Sequence, residues 1–177
     1  MTIKAGIVGA AGFAGVELAR ILLRHPDFEL CVVTSTSNTG TPLAELYPAF
    51  AGQTDLVFVD NDSEDLKQCQ VVFLAVPHTA AIAAAPALID AGITVIDLSA
   101  DFRVANHVTY EQWYGVSHTE IELLASRVFG LPELFREELD AAALRYAAGK
   151  SVLVGCAGCY PTCTSLAAAP AITSELI

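Results

Sequence analysis

Cys159 stands in the segment Gly155-Cys156-Ala157-Gly158-Cys159-Tyr160-Pro161-Thr162, between an apolar run and a stretch of helical composition. A thiolate at a helix N-terminus is favoured by the peptide dipoles, and such a sulfur suits covalent attack on an acyl carbon. Cys156 and Cys159 also form a C-x-x-C pair, which Cys163 continues. A redox dithiol and a metal site are therefore alternatives to a catalytic thiol. A zinc site needs a further Cys or His pair at ligand spacing, and His25, His78, His107 and His118 are not so paired, so no metal is expected. The plainest alternative, small thiols packed in a core, suits Cys31, Cys69 and Cys156.

A second chemical feature is the run Gly9-Ala10-Ala11-Gly12-Phe13-Ala14-Gly15. In a dinucleotide fingerprint the first glycine makes a tight turn, the second lets the backbone approach the pyrophosphate, and the third allows close helix–strand packing. Gly9, Ala11, Gly12, Phe13, Ala14 and Gly15 are the residues expected to hold the phosphates; an ordinary Gly-rich turn is the competing reading. An NAD site usually offers a carboxylate about 20 residues further on. Here the stretch reads Thr34-Ser35-Thr36-Ser37-Asn38. Hydroxyls at Ser35 and Thr36 can donate to a 2′-phosphate without repelling it, so NADP is expected over NAD. Pro77, His78 and Ser99 complete the expected cofactor-binding set, His78 as a wall of the nicotinamide pocket or as a plain loop imidazole. Arg103 can grip a carboxylate or phosphate of a substrate by paired hydrogen bonds, or sit in a salt bridge with Asp101 or another acid, the favoured alternative. Asp97 reads as a residue that fixes loop backbone, Trp113 and Tyr114 as packing, and Asp60-Asn61-Asp62-Ser63-Glu64-Asp65 as a solvated turn and helix start.

These residues need elements to place them. Short apolar runs alternate with amphipathic stretches. Strands are expected at Lys4 to Val8, Phe28 to Thr34, Val71 to Val76, Ile93 to Leu98 and Ser151 to Val154. A helix is expected from Val16 to His25, closed by Pro26, and another from Ala80 to Ala91 despite Pro86, closed by Gly92. Tyr110 to Tyr146 is less regular, with one or two helices and a long connection. The alternation predicts an α/β fold: a doubly wound parallel sheet of the Rossmann-like, NADP-binding kind. The expected division is a dinucleotide-binding domain over 1–155, with 156–177 the catalytic cysteine loop and the start of a substrate domain. The last stretch runs to Glu175-Leu176-Ile177 without a stop signal, which reads as a piece of a longer protein, natural or engineered.

Composition narrows the partners. The chain has 177 residues, of which 54% are hydrophobic and 16% charged, enough for one sizeable core. A formal net charge of −11 with only 9 Lys and Arg speaks against nucleic acid. No apolar run is long enough for a membrane span, and the N-terminus has no signal-peptide pattern, so a cytoplasmic protein is expected. Five cysteines, an odd number, do not make a disulfide framework.

Taken in order, several segments resemble the N-acetyl-gamma-glutamyl-phosphate reductases: Gly9 to Gly15 with Val16-Glu17-Leu18, Val72-Phe73-Leu74-Ala75-Val76-Pro77-His78, Val95-Ile96-Asp97-Leu98-Ser99-Ala100-Asp101-Phe102-Arg103, Tyr110-Glu111-Gln112-Trp113-Tyr114-Gly115 with His118, Phe129-Gly130-Leu131-Pro132-Glu133-Leu134, and Gly158-Cys159-Tyr160-Pro161-Thr162. The wider relatives are the aspartate-semialdehyde dehydrogenases. The resemblance implies NADPH-dependent reduction of an acyl phosphate to a semialdehyde in arginine biosynthesis, with Cys159 as the nucleophile that forms a thioester. It also implies a homo-oligomeric complete protein whose catalytic His and most of whose substrate pocket lie beyond residue 177, so that this chain binds cofactor but turns over little. Cys156-Ala157 stand where the family carries Asn-Pro, and Thr36 where an Arg is common. A related semialdehyde dehydrogenase and a non-catalytic nucleotide-binding module are the alternatives.

Overall fold

The computed structural model describes residues 2–176. Strands β1 (Ile3–Val8), β2 (Phe28–Val33), β3 (Val71–Leu74), β4 (Thr94–Asp97), β5 (Val128–Gly130) and β6 (Leu153–Cys156) form one six-stranded sheet in the order β2-β1-β3-β4-β6-β5. Every pairing is parallel. Helices α1 (Phe13–Leu22), α2 (Leu43–Leu46), α3 (Ala80–Asp90), α4 (His107–Tyr114), α5 (Ile121–Ser126), α6 (Arg136–Ala147) and α7 (Cys159–Thr173) complete the chain. The expected doubly wound parallel sheet is the one found.

Strand residues alternate between two cores, as a pleated sheet requires. Ala5, Ile7, Val71 and Phe73 pack with Ala19 and Leu22 of α1. Val8, Val72, Leu74 and Val95 pack with Ala81, Ala85 and Leu88 of α3 and Leu124 of α5. Right-handed crossovers account for the split. The chain steps from β1 to β2 in one direction and from β3 to β4 in the other, so the two connecting helices fall on opposite faces. The reversal leaves a crevice at the C-terminal ends of β1 and β3, where ligands bind in open parallel sheets.

Several boundaries move. The first helix begins at Phe13, not Val16, because Phe13, Ala14 and Gly15 already form its opening turn, and it ends at Leu22. The last strand is shifted two residues, to Leu153–Cys156, so Cys156 belongs to the sheet and not to the loop. Within the irregular stretch lies a strand that periodicity does not show: Val128–Gly130 pairs along β6 at the sheet edge. Among the described residues no helix is long and apolar enough to cross a membrane.

Candidate functional site

Because all six strands are parallel, the loops after them share one edge of the sheet. The glycine loop leaves β1 there. Gly9 has φ +83°, and a Cβ on it would stand 2.5 Å from the Ala75 carbonyl oxygen, so neither the conformation nor the space admits another residue. A Cβ on Gly15 would lie 2.4 Å from the Gly9 oxygen, since α1 starts in contact with the turn that precedes it. Gly12 is different. Its φ is −82° and its added Cβ would meet nothing closer than 3.6 Å, so the fold itself does not demand a glycine there. It is exposed, as are its neighbours Phe13, at 97%, and Ala14.

The loop is anchored by residues distant in sequence. Thr34 accepts from the Gly9 N–H through its hydroxyl at 3.3 Å and from the Ala10 N–H through its carbonyl at 2.9 Å. Its own hydroxyl donates to Asn61 Oδ1 at 2.5 Å. Tyr47 Oη donates to the Ala11 carbonyl at 2.5 Å, fixing the crest of the loop. Of the two expected hydroxyl donors, Ser35 is buried and accepts from Asn38 Nδ2, while Thr36 is exposed. Asp60 to Asp65, expected as a solvated turn and helix start, is that, with Ser63 capping a 3-10 turn from Glu64. Together with Leu66 and Lys67 it also forms one wall of a cleft of about 440 Å³, with Ala80, Ala83, Ala84 and Ala87 of α3 the other wall and Val8 the floor.

After β4 the chain closes a polar knot. Asp97 takes N–H bonds from Ser99 and Phe102 and the hydroxyl of Ser99, which is the backbone-fixing role its position suggested. Burial raises its pKa, against those bonds. Ser99 also accepts from the Asp101 N–H, so its hydroxyl is fully engaged inside the protein. Asp101 is wholly buried and receives the N–H groups of Thr79, Ala81 and Ile82 at the start of α3. It further receives the Tyr110 hydroxyl at 3.0 Å and lies 2.8 Å from His78 Nδ1. A carboxylate at a helix N-terminus is well placed against the free N–H groups. His78, ring to ring with Tyr110 and Tyr114 at 5.7 and 4.9 Å, is thereby held in one orientation at the open edge. Thr79, beside it, is held at φ +74°.

Two expectations fail here. Arg103 makes no salt bridge with Asp101. Its Nε donates to the Cys156 carbonyl at 3.1 Å and its Nη2 to the Ser99 carbonyl at 2.9 Å, because Asp101 is already saturated by α3, Tyr110 and His78. Arg103 thus ties the loop after β4 to the end of β6. Trp113 does not pack: it is 77% exposed on α4, whereas Tyr110 of the same helix is fully buried.

The cysteine loop follows β6. Gly155 lies so close to Phe102 that a Cβ would stand 2.0 Å from the Phe102 carbonyl oxygen. Gly158, at φ +83°, turns the chain into α7 against the Arg103 guanidinium. Cys159 is the first residue of α7 and is exposed, as is Cys163. Cys156, the last residue of β6 and three positions earlier, is half-buried, and burial with the Asp97 charge beside it pushes its thiol up to about 11. The two members of the C-x-x-C pair therefore live in unlike surroundings. Among the described residues no group of three or more His, Cys, Asp and Glu could hold a metal ion. Tyr47, Asn61, Asp101 and Tyr110 are the site residues that sequence reasoning missed. Their partners are far away in the chain, and only the acid in the Asp-Phe-Arg segment left any local signal.

A family model described as the NAD binding domain of semialdehyde dehydrogenase matches residues 4–142. The N-acetyl-gamma-glutamyl-phosphate reductase of Neisseria meningitidis serogroup C (strain 053442) is 46% identical over 168 residues, which are 95% of this chain and 46% of that protein. Its counterpart in Cellvibrio japonicus is 43% identical over 175 residues, 99% of this chain and 48% of that protein. The chain spans about half the length of the curated relatives it matches. Among solved structures, aspartate semialdehyde dehydrogenase II from Vibrio cholerae superposes with TM-score 0.69 at 15% identity, over 98% of this chain and 43% of that one. The Candida albicans aspartate semialdehyde dehydrogenase with NADP gives 0.64 at 18% identity, over 88% and 42%. These two likenesses are of fold.

Proposed function

Since the chain belongs to the family of semialdehyde dehydrogenase NAD-binding domains, we propose that it is the NADPH-binding part of an N-acetyl-gamma-glutamyl-phosphate reductase, a homo-oligomer when complete. Gly12 carries the reading. Gly9 and Gly15 are glycines for the sake of the fold, whereas Gly12 keeps a side chain out of open space at the N-terminus of α1. A pyrophosphate belongs in that space, met by the free N–H groups of the first helical turn. Ser35 and Thr36 lie at the 2′-phosphate, with no carboxylate between Thr34 and Asn38 to repel it. The adenosine end lies in the cleft between Asp60–Lys67 and α3, whose floor, Val8, adjoins the glycine loop. His78 and Pro77 border the nicotinamide.

Cys159 is the nucleophile. Its sulfur attacks the acyl phosphate carbon, the C–O bond to phosphate breaks, inorganic phosphate leaves, and an acyl thioester remains on the enzyme. NADPH, when bound, supplies the hydride that brings this acyl group to the aldehyde level. Arg103 holds the Cys156 carbonyl and so the position of Gly158 and Cys159. Residues 156–176 then mark the passage into a substrate domain: α7 buries none of its 15 residues. That domain brings the remaining groups, and this chain alone binds cofactor with little turnover.

The test is a fluorescence titration of this chain with NADPH and with NADH. Saturation with NADPH tighter than NADH is expected. Equal affinities would remove the hydroxyl argument at Ser35 and Thr36. No binding by a chain with a folded circular-dichroism spectrum would leave Gly9 to Gly15 as a turn only.

A further inference from the structure

Two thiols outside the catalytic loop meet over the middle of β1. The pairing of β1 with β2 runs from Ala5 opposite Leu30 to Gly6 opposite Val32, which leaves Cys31 as the extra residue of a bulge. Strict alternation would send Cys31 and Val32 to opposite faces. The bulge instead turns both toward the core beneath α3. From the other side of β1 comes Cys69, which ends the 3-10 turn Glu64–Gln68, just before β3. Its sulfur is 3.0 Å from where a Cβ of Gly6 would stand, so only a glycine leaves the slot open. In that slot the Cys31 and Cys69 sulfurs are 3.7 Å apart, and Cys31 also donates to the Ala5 carbonyl at 3.3 Å. A bulge in one strand, a missing side chain in the next and the cap of a turn beyond it all converge on a single sulfur–sulfur contact.

We propose that Cys31 and Cys69 form a modification site, a dithiol that a hydroperoxide converts to an intramolecular disulfide, and that this bond reshapes the cleft beside it. Cys31 is half-buried and Cys69 buried, so Cys31 is the sulfur the oxidant reaches. It attacks the O–O bond, which breaks to give a sulfenic acid on Cys31 and one molecule of alcohol or water. The Cys69 sulfur then attacks the Cys31 sulfur. The S–S bond forms, the S–O bond breaks, and the departing hydroxyl takes the Cys69 proton as water. Two electrons have passed from the thiols to the peroxide, and a dithiol reductant returns them. Burial, with Cys31 alongside, pushes the Cys69 thiol up to about 12, so Cys69 is protonated at neutral pH and the closing attack of its sulfur quickens as pH rises.

The mechanical consequence follows from what each sulfur is attached to. The pair must close from 3.7 Å to the ~2.0 Å of a disulfide. Cys31 sits in a strand held along β1, whereas Cys69 caps a short turn. The turn is the part that moves. It supplies Glu64, Leu66 and Lys67 to the wall of the 440 Å³ cleft, so drawing it toward β1 changes the shape of that cleft. This last step rests on the reading that the adenosine end of NADPH lies there.

Cys159 and Cys163 are exposed and compete for the oxidant, so the experiment uses the chain with Cys159→Ser and Cys163→Ser. It is treated with hydrogen peroxide at mildly alkaline pH, digested, and mapped by mass spectrometry, with the NADPH Kd measured before oxidation, after it, and after dithiothreitol. The expected result is a linked Cys31–Cys69 peptide and a several-fold rise in Kd, reversed by reductant and absent when Cys31→Ser is added. No such peptide would overturn the site; the peptide with an unchanged Kd would overturn its action on the cleft. If the reduced chain binds no NADPH at all, the proposed function falls, while the peptide map still decides the dithiol.

Discussion

His118 shows how one side chain can be held in a single protonation state. Its Nδ1 accepts from the Glu120 N–H at 3.2 Å, which places the ring proton on Nε2, donated to the Asp101 carbonyl at 3.0 Å. Protonating Nδ1 would set two N–H groups against each other, and burial already lowers the pKa. The unfolded chain therefore takes up this proton first as pH falls. The contribution of His118 to stability is complete above the ordinary histidine range near 6.5 and declines as pH drops through it. Urea unfolding at about pH 7.5 and pH 5.5 is expected to show a drop that His118→Gln reduces; an identical drop in the variant would assign the titration elsewhere. At the cysteine loop the prediction concerns selectivity. Iodoacetamide at neutral pH is expected to alkylate the exposed Cys159 and leave Cys156, whose thiol is held near 11, unmodified. Equal labelling would restore the C-x-x-C pair as a functional dithiol. The position of Cys159 was legible because it is local: the first residue of a helix that follows a strand. Tyr47 was not, because its hydroxyl reaches Ala11, 36 residues upstream, and no spacing encodes that contact.

At the scale of elements, the glycine loop separates two jobs that the sequence pattern merges. Gly15→Ala drives a Cβ to 2.4 Å from backbone oxygen and is expected to destabilise the domain by several kcal/mol or prevent folding. Gly12→Ala meets no such contact, so its melting temperature should stay near wild type while NADPH affinity falls about tenfold or more. A Gly12→Ala chain that binds NADPH normally would sink the proposed pyrophosphate position. The start of α3 carries the opposite situation, a side chain where glycine belongs. Thr79 sits at φ +74°, a strain of about 1 kcal/mol or more for a β-branched residue. Thr79→Gly is expected to raise stability by up to about 1 kcal/mol, reduced by the added freedom of the unfolded chain; denaturant melts check it. The long buried strands and α3 were readable from apolar runs and punctuation. β5 was not, because three residues cannot display a period and Val128–Gly130 becomes a strand only by lying along β6. The reach of Asp60–Lys67 to the cleft was hidden for the same reason, since the Thr34–Val59 bridge that brings it there is a tertiary contact.

Over the whole molecule, the two cores are built around the sheet, and α7 stands apart from both, with Ile172 and Tyr160 exposed. Hydrogen exchange is expected to show α7 amides exchanging early while β1, β3 and β4 exchange last, and to show α7 protected in the complete protein. Protection of α7 in this chain alone would mean that it is already docked. The doubly wound parallel class of the sheet was legible as alternation; its strand order, and the way β6 and Arg103 lock the cysteine loop to the loop after β4, were not. The contact of Gly155 with Phe102 carries a consequence for how such a sequence can drift. Every coding change at a glycine adds at least one carbon, and here that carbon has a carbonyl oxygen 2.0 Å away. In a library of all single substitutions, position 155 should be an empty column, whatever is selected for, folded protein or product. Neighbouring Val154 and Cys156, with partly open side chains, should keep several survivors. A lineage could lose the exposed Cys159 in one step and remain folded, but it would have to keep Gly155 for as long as it keeps the sheet.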